Sequence, residues 1–247
     1  MTLTTKSGVL YLIPNTLGDS PVETVLPYGV LEVSHALDYF IAENAKAARL
    51  LLKRVDAIRP LSHALQAIEI RELNISTPAS ALDDLIEPIL GGRDAGLVSD
   101  AGCPAVADPG ARLIDLAHRR SIVVRPLVGP SSILLALMAS GLNGQSFAFN
   151  GYVPIESKER QACIRALDAR SRHSGQTQIM IETPYRNMAL LNALVAHCAP
   201  DTRICVACDL TLESESVQTR TALAWRTVSP KLDRRPAIFL LQARQND

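Results

Sequence analysis

Turn-forming and ligand-approaching residues concentrate in one stretch, "SDAGCPAVADPG" (99–110), with two Asp, two Gly, two Pro and one Cys in twelve positions. An apolar run precedes it and a helical pattern follows. Nine of the 13 Gly lie between 91 and 151, and glycine is the residue that lets backbone approach a ligand closely. "IPNTLGD" (13–19), "SDAGCP" (99–104) and "LVGPSS" (127–132) each follow a strand-like run. In open α/β sheets, ligands sit at the carboxyl ends of strands, so three such loops would converge on one sheet edge and cradle a small molecule. Each also has a plain reading as a helix start, and residue types alone leave both open.

Other chemistries find less support. Gly-x-Gly-x-x-Gly is absent, as is the phosphate loop ending in Gly-Lys-Ser/Thr. No Gly-x-Ser-x-Gly elbow exists, so Ser131 and Ser132 are poor hydrolase nucleophiles. His197, Cys198, Cys205 and Cys208 deserve a metal test. Cys205 and Cys208 are three apart in the strand-like "RICVAC", and that offset sends side chains to opposite faces. We expect buried thiols and no metal site.

The elements around these loops alternate. Strands are expected at 9–13, 95–99, 121–127, 177–182, 203–208, 216–221 and 237–241, with a strand then a turn over 146–154 and a strand-like "YFIAE" inside 34–55 before that segment turns helical. Helices are expected at 77–90, with Thr77 as cap and Pro78 first, and after "DPG" at 108–120, with Asp108 as cap. Others are expected at 129–141, stopped by Gly141, at 157–171, and at 183–198, with Thr183 as cap and Pro184 first. Strands separated by helices of ten or more residues imply parallel pairing and an α/β fold. Late in the chain the strands crowd together, so a mixed second sheet is expected.

Composition narrows the classes. The 247 residues are 47% hydrophobic and 20% charged, with 25 Lys plus Arg against 25 Asp plus Glu. A sizeable core follows, and no global basic field would drive non-specific nucleic-acid binding. Five Cys and a weak N-terminal apolar run read as thiols in a cytoplasmic chain, and the longest apolar stretch is too short to span a bilayer.

The order and content of the loops resemble the tetrapyrrole methylase superfamily of S-adenosylmethionine-dependent methyltransferases. Within it, the chain looks most like the enzymes that methylate a ribose 2′-oxygen of 16S ribosomal RNA. The segments that carry the resemblance are "LYLIPNTLGD" (10–19), "FIAENAKAARLLL" (40–52), "GLVSDAGCPAVADPGARLI" (96–114) and "VRPLVGPSSILLALMASGL" (124–142), continued by "FAFNGYVP" (147–154), "IETPYR" (181–186) and "DLTLE" (209–213). The resemblance implies two α/β domains, placed at 1–128 and 129–247, the first with a largely parallel sheet, the second with a mixed one, and a cofactor cleft between them. It implies S-adenosylmethionine contacts at Ala101, Gly102, Cys103 and Val106, at Ser131 and Ser132 from a helix start, and at Glu182 and Thr183. It also implies a homodimer.

Methyl transfer from a sulfonium is an in-line displacement that needs positioning, and a hydroxyl acceptor gains about 10²–10⁴-fold from a base. Asp100, Glu43 and Glu182 are the candidate catalytic carboxylates, with Asp108 reading as a cap. Tyr185 and Arg186 either face substrate or form an exposed first helical turn. The chain also departs from the RNA branch. It has "ENAK" (43–46) for Glu-Asp-Thr-Arg, "RELN" (71–74) for a His-rich stretch ending in Asn, Tyr185 for a His, and "CDLTL" (208–212) for Arg-Glu-Leu-Thr-Lys. The expected acceptor is therefore a ribosomal RNA ribose, with a tetrapyrrole or other small molecule as the alternative, and a non-catalytic cofactor-binding protein as the third reading. An RNA acceptor asks for a local basic patch, for which Arg160, Arg165, Arg170, Arg172 and Arg186 are available.

Overall fold

The computed structural model describes residues 6–245. The chain divides into two compact units between Ser131 and Ser132. The first runs β1 (Val9–Ile13), α1 (Val22–Val25), α2 (Tyr28–Ala36), β2 (Tyr39–Ala42), α3 (Ala45–Asp56), β3 (Glu69–Glu72), α4 (Leu82–Leu90), β4 (Ala95–Val98), α5 (Gly110–Arg119) and β5 (Val123–Pro126). Its five strands are all parallel, in the order β3-β2-β4-β1-β5.

Strand alternation explains why both faces are covered. In β2, Tyr39 and Ile41 point into a core with Ile86 and Ile89 of α4 and Leu113 of α5. Phe40 and Ala42 point the other way, against Leu51, Leu52 and Val55 of α3. At the centre, a Cβ on Gly96 would stand 2.6 Å from the Ile13 Cδ1 and 2.8 Å from the Phe40 ring, both fully buried. Gly96→Ala is therefore expected to destabilise the chain by about 1–3 kcal/mol through overpacking. A urea midpoint equal to that of the parent would contradict this.

The second unit runs α6 (Ser132–Ser140), β6 (Phe147–Tyr152), α7 (Ser157–Ser174), β7 (Thr177–Ile181), α8 (Asn187–His197), β8 (Arg203–Cys208), β9 (Ser216–Thr221), α9 (Ala222–Trp225) and β10 (Ala237–Gln242). Its sheet order is β6-β7-β10-β8-β9. Only β6 and β7 pair in parallel; the remaining pairs are antiparallel. Met180, Val206, Cys208 and Phe239 join Ile164 and Leu167 of α7 and Leu190, Leu191 and Leu194 of α8 in one core, while α6 packs against β8, β9 and β10.

Three local expectations need correction. β3, "EIRE", is an additional strand that its three charged residues hide. It lies at the sheet edge, where Arg71 pairs with Glu69 at 2.7 Å and covers the Tyr39 ring. The helix expected from Thr77 begins at Leu82, after a 3-10 turn at Ala79–Ala81. The Thr77 Oγ1 instead accepts from the Asn74 backbone N–H at 3.0 Å. The helix expected from Thr183 starts at Asn187, after a 3-10 turn at Pro184–Arg186 with no side-chain cap. No helix among the described residues is long and apolar enough to cross a membrane, and none of their His, Cys, Asp and Glu side chains gather in threes suited to a metal.

Candidate functional site

Parallel pairing brings the carboxyl ends of β1, β2, β3 and β4 to one edge of the first sheet. Asn15, just past β1, organises that edge. Its backbone exchanges two hydrogen bonds with Gly102, 2.9 and 3.2 Å long. Its Nδ2 donates to the carbonyls of Ser99 and Asp100 at 3.2 and 3.1 Å. From the other side, the Cys103 Sγ donates to the Pro130 carbonyl at 3.4 Å. The 99–104 segment is thus latched to the loops after β1 and β5.

The rest of the loop is strained and held. Ala105 and Ala107 adopt φ of 66° and 64°, a left-handed conformation that costs a residue with a Cβ about 1–2 kcal/mol. Asp108 holds this shape: Oδ2 accepts from the Ala105 N–H at 2.8 Å and Oδ1 from the Gly110 N–H at 2.7 Å. The cap expected at Asp108 is not what forms: α5 begins at Gly110 with Pro109 in the N-cap position and no side-chain cap, and Asp108 instead ties the Gly110 N–H to the loop it bends. Ala101 and Val106 are exposed, Gly102 is buried, and Cys103 is half-buried with its thiol pushed up by burial.

Four carboxylates share this edge. Burial raises the Glu43 carboxyl above the usual range, the charges of Asp100 and Asp108 add to the effect, and the Asp100 backbone N–H bonded to it opposes the rise. Burial likewise raises Asp100, with Asp108 and Glu72 adding repulsion. Like charges close together disfavour a second ionisation, so a proton is held more readily here than on an isolated carboxylate. Asp100 and Ala101 also border a cavity of about 170 Å³ lined with Asn15, Thr16 and Arg54.

Glu182 belongs to the second unit, at the carboxyl end of β7. Its side chain is 1% exposed. Oε1 accepts from the Thr183 N–H at 2.7 Å and from Arg186 Nε and Nη2 at 2.9 and 2.6 Å. Oε2 is buried and has no partner among the described residues. This hydrogen bonding, more than the nearby Tyr152, raises the Arg186 guanidinium pKa. Thr183 donates its hydroxyl to Glu182 at 3.3 Å. Ser132 is the first residue of α6, and Ser131 and Ser132 are both half-buried. Of the arginines available for a basic patch, Arg172 is bound to Asp201 at 2.8 Å and Arg186 to Glu182. Asn15 and Glu72, which sequence reading did not single out as site residues, both lie in the quoted segments "LYLIPNTLGD" and "RELN".

A parallel α/β unit followed by a mixed α/β unit is a fold this chain shares with solved methyltransferases. The chain is similar to the crystal structure of the methyltransferase CobJ, with a TM-score of 0.64 and 15% identity, covering 98% of both chains. It is similar to uroporphyrin-III-C-methyltransferase from Thermus thermophilus, with a TM-score of 0.55 and 20% identity, covering 95% and 92%. At these identities the likeness concerns the fold.

No family model matches the chain. It is 32% identical over 212 residues to ribosomal RNA small subunit methyltransferase I of Streptococcus pyogenes serotype M3, covering 86% of this chain and 68% of that one. To the protein of the same name in Mesorhizobium japonicum it is 33% identical over 215 residues, covering 87% and 68%. The chain belongs to the ribosomal RNA small subunit methyltransferase I family and is a methyltransferase.

Proposed function

We propose that the chain transfers a methyl group from S-adenosylmethionine to a ribose 2′-hydroxyl of small-subunit ribosomal RNA. The observation that carries this reading is the latched 99–110 loop with Asp100 and Glu43 beside it, in a chain of this family. When bound, the cofactor supplies an electrophilic methyl group on sulfur. The residues present fit it through the outer face of the loop, where Ala101 and Val106 are exposed, while Gly102 at φ +69°, where a Cβ would stand 3.2 Å from the Leu17 Cδ2 and 3.4 Å from the Pro130 carbonyl oxygen, lets the loop pack closely on its neighbours. Ala101, Gly102, Cys103 and Val106 would hold the cofactor, with Ser131, Ser132 and Thr183. Asp100, assisted by Glu43, takes the proton from the ribose hydroxyl. Glu182 acts through Arg186, whose guanidinium it fixes, and Tyr185 and Arg186 face the acceptor.

Methyl incorporation into small ribosomal subunits from cells lacking this chain tests the reading. The expected product is one linkage newly resistant to alkali, because the 2′-oxygen is blocked. Absence of incorporation where the Mesorhizobium japonicum relative works would overturn it. A small-molecule acceptor is the second reading, favoured by the fold shared with uroporphyrin-III-C-methyltransferase. Exposed Leu134 and Met138 on α6 support a homodimer, and a monomeric mass by light scattering would refute it.

A further inference from the structure

The second sheet collects four segments at one edge. β6 ends at Tyr152, the register partner of Ile181 at the end of β7. β10 runs the opposite way, with Ile238 beside Ile181, and β8 ends at Cys208 beside Ala237. Tyr152, the 182–186 turn, the loop 230–236 and Asp209 therefore share that edge.

The loop 230–236 is fixed from beneath. Fully buried Asn187 donates its Nδ2 to the Arg235 carbonyl at 2.7 Å. Arg235 donates to Asp209 at 2.8 Å and to the Ser214 carbonyl at 2.7 Å. Arg186 and Arg235 are thus each bound to a carboxylate. Arg234 has no carboxylate partner among the described residues. Its guanidinium lies 5.9 Å from the centroid of the Tyr185 ring, which is 76% exposed.

Arg234 also sits at φ 56°. This left-handed turn, like the one at Asp209 (φ 49°), bends the chain at this edge. A bulge does similar work nearby: Gly151 at φ 67° and the register shift between Phe149 and Tyr152 re-aim Tyr152, which is 60% exposed.

We propose that Tyr185, held on one face by Arg234, is a stacking platform for one unstacked nucleobase of the acceptor RNA. Planar aromatic and guanidinium groups are what single-stranded bases stack on, and one ring with its guanidinium gives purchase on RNA without a broad basic field. This inference rests on the RNA reading above.

Steady-state methylation of the same undermethylated small subunits tests it. Stacking of one base contributes about 1–3 kcal/mol, so Tyr185→Ala is expected to raise KM for subunits about 5–150-fold. Tyr185→Phe and Tyr185→Trp should recover most of that loss. Arg234→Ala should raise KM less, and Arg234→Lys, which keeps the charge but not the plane, should not restore it. Calorimetric affinity for S-adenosylhomocysteine should stay at the parent value throughout. A parent-like KM in Tyr185→Ala, a Phe variant as poor as the Ala variant, or a parallel loss of S-adenosylhomocysteine binding would each overturn the platform. Parent protein inactive on subunits would bring down the RNA reading and the platform with it. An active parent with an unaffected Tyr185→Ala variant would bring down the platform alone.

Discussion

Asp100→Asn is expected to lower kcat by about 10²–10⁴-fold, the range a positioned general base contributes, with affinity for S-adenosylhomocysteine retained. Glu43→Gln should cost less, because Glu43 is bound to the Asp100 backbone N–H and in the proposed reading only assists Asp100. The base works deprotonated. Burial and like charge raise both carboxyls, so kcat/KM of the parent should fall as pH drops through a pKa above the ordinary carboxylate range. The stability consequence has the opposite sense. A carboxyl with a raised folded-state pKa binds its proton more tightly folded than unfolded, so its stabilising contribution is present at low pH and is lost as pH rises. The neutral variants should therefore melt no lower than the parent at pH 8. Full activity in Asp100→Asn, or a loss of activity that merely follows a lower Tm, would remove Asp100 from the reaction.

Gly102→Val is expected to weaken S-adenosylhomocysteine binding at least about tenfold, since a β-branched residue at φ +69° must leave that conformation or bear roughly 1–2 kcal/mol. Either route shifts the bridge to Asn15 and the backbone from Ala101 to Cys103. Gly141→Ala is the control: its φ is +68° and a Cβ there meets nothing within 4 Å, so it carries the left-handed cost without touching the loop. Calorimetry should separate the two variants, with circular dichroism showing both folded. Equal affinity in Gly102→Val and parent would mean that the cofactor rests elsewhere.

Local signals made much of this legible. Apolar β-rich runs bounded by Pro or Gly marked β1, β4, β7, β8 and β10, because a strand buried on both faces needs continuous hydrophobicity. Glycine marked the backbone positions where a left-handed turn is required, as at Gly102 and Gly141. The start of α5 near "DPG" was readable because helix-start signals are settled within a few residues, although Asp108 itself bends the loop and the N-cap position falls on Pro109.

What tertiary structure decided is everything that depends on strand order. The order β3-β2-β4-β1-β5 is not the chain order, so nothing local could place Glu43, Glu72, Asp100 and Asp108 within each other's fields. β3 was illegible because an edge strand keeps its charges in water. Thr183 looked like a cap, yet its hydroxyl donates to Glu182 and makes no capping bond. Arg234 meets Tyr185 only because β10 runs antiparallel to β7 and returns the loop before it to the same edge. Sequence carries propensity and pattern over short range; long-range electrostatics and stacking exist only once the sheet has chosen its neighbours.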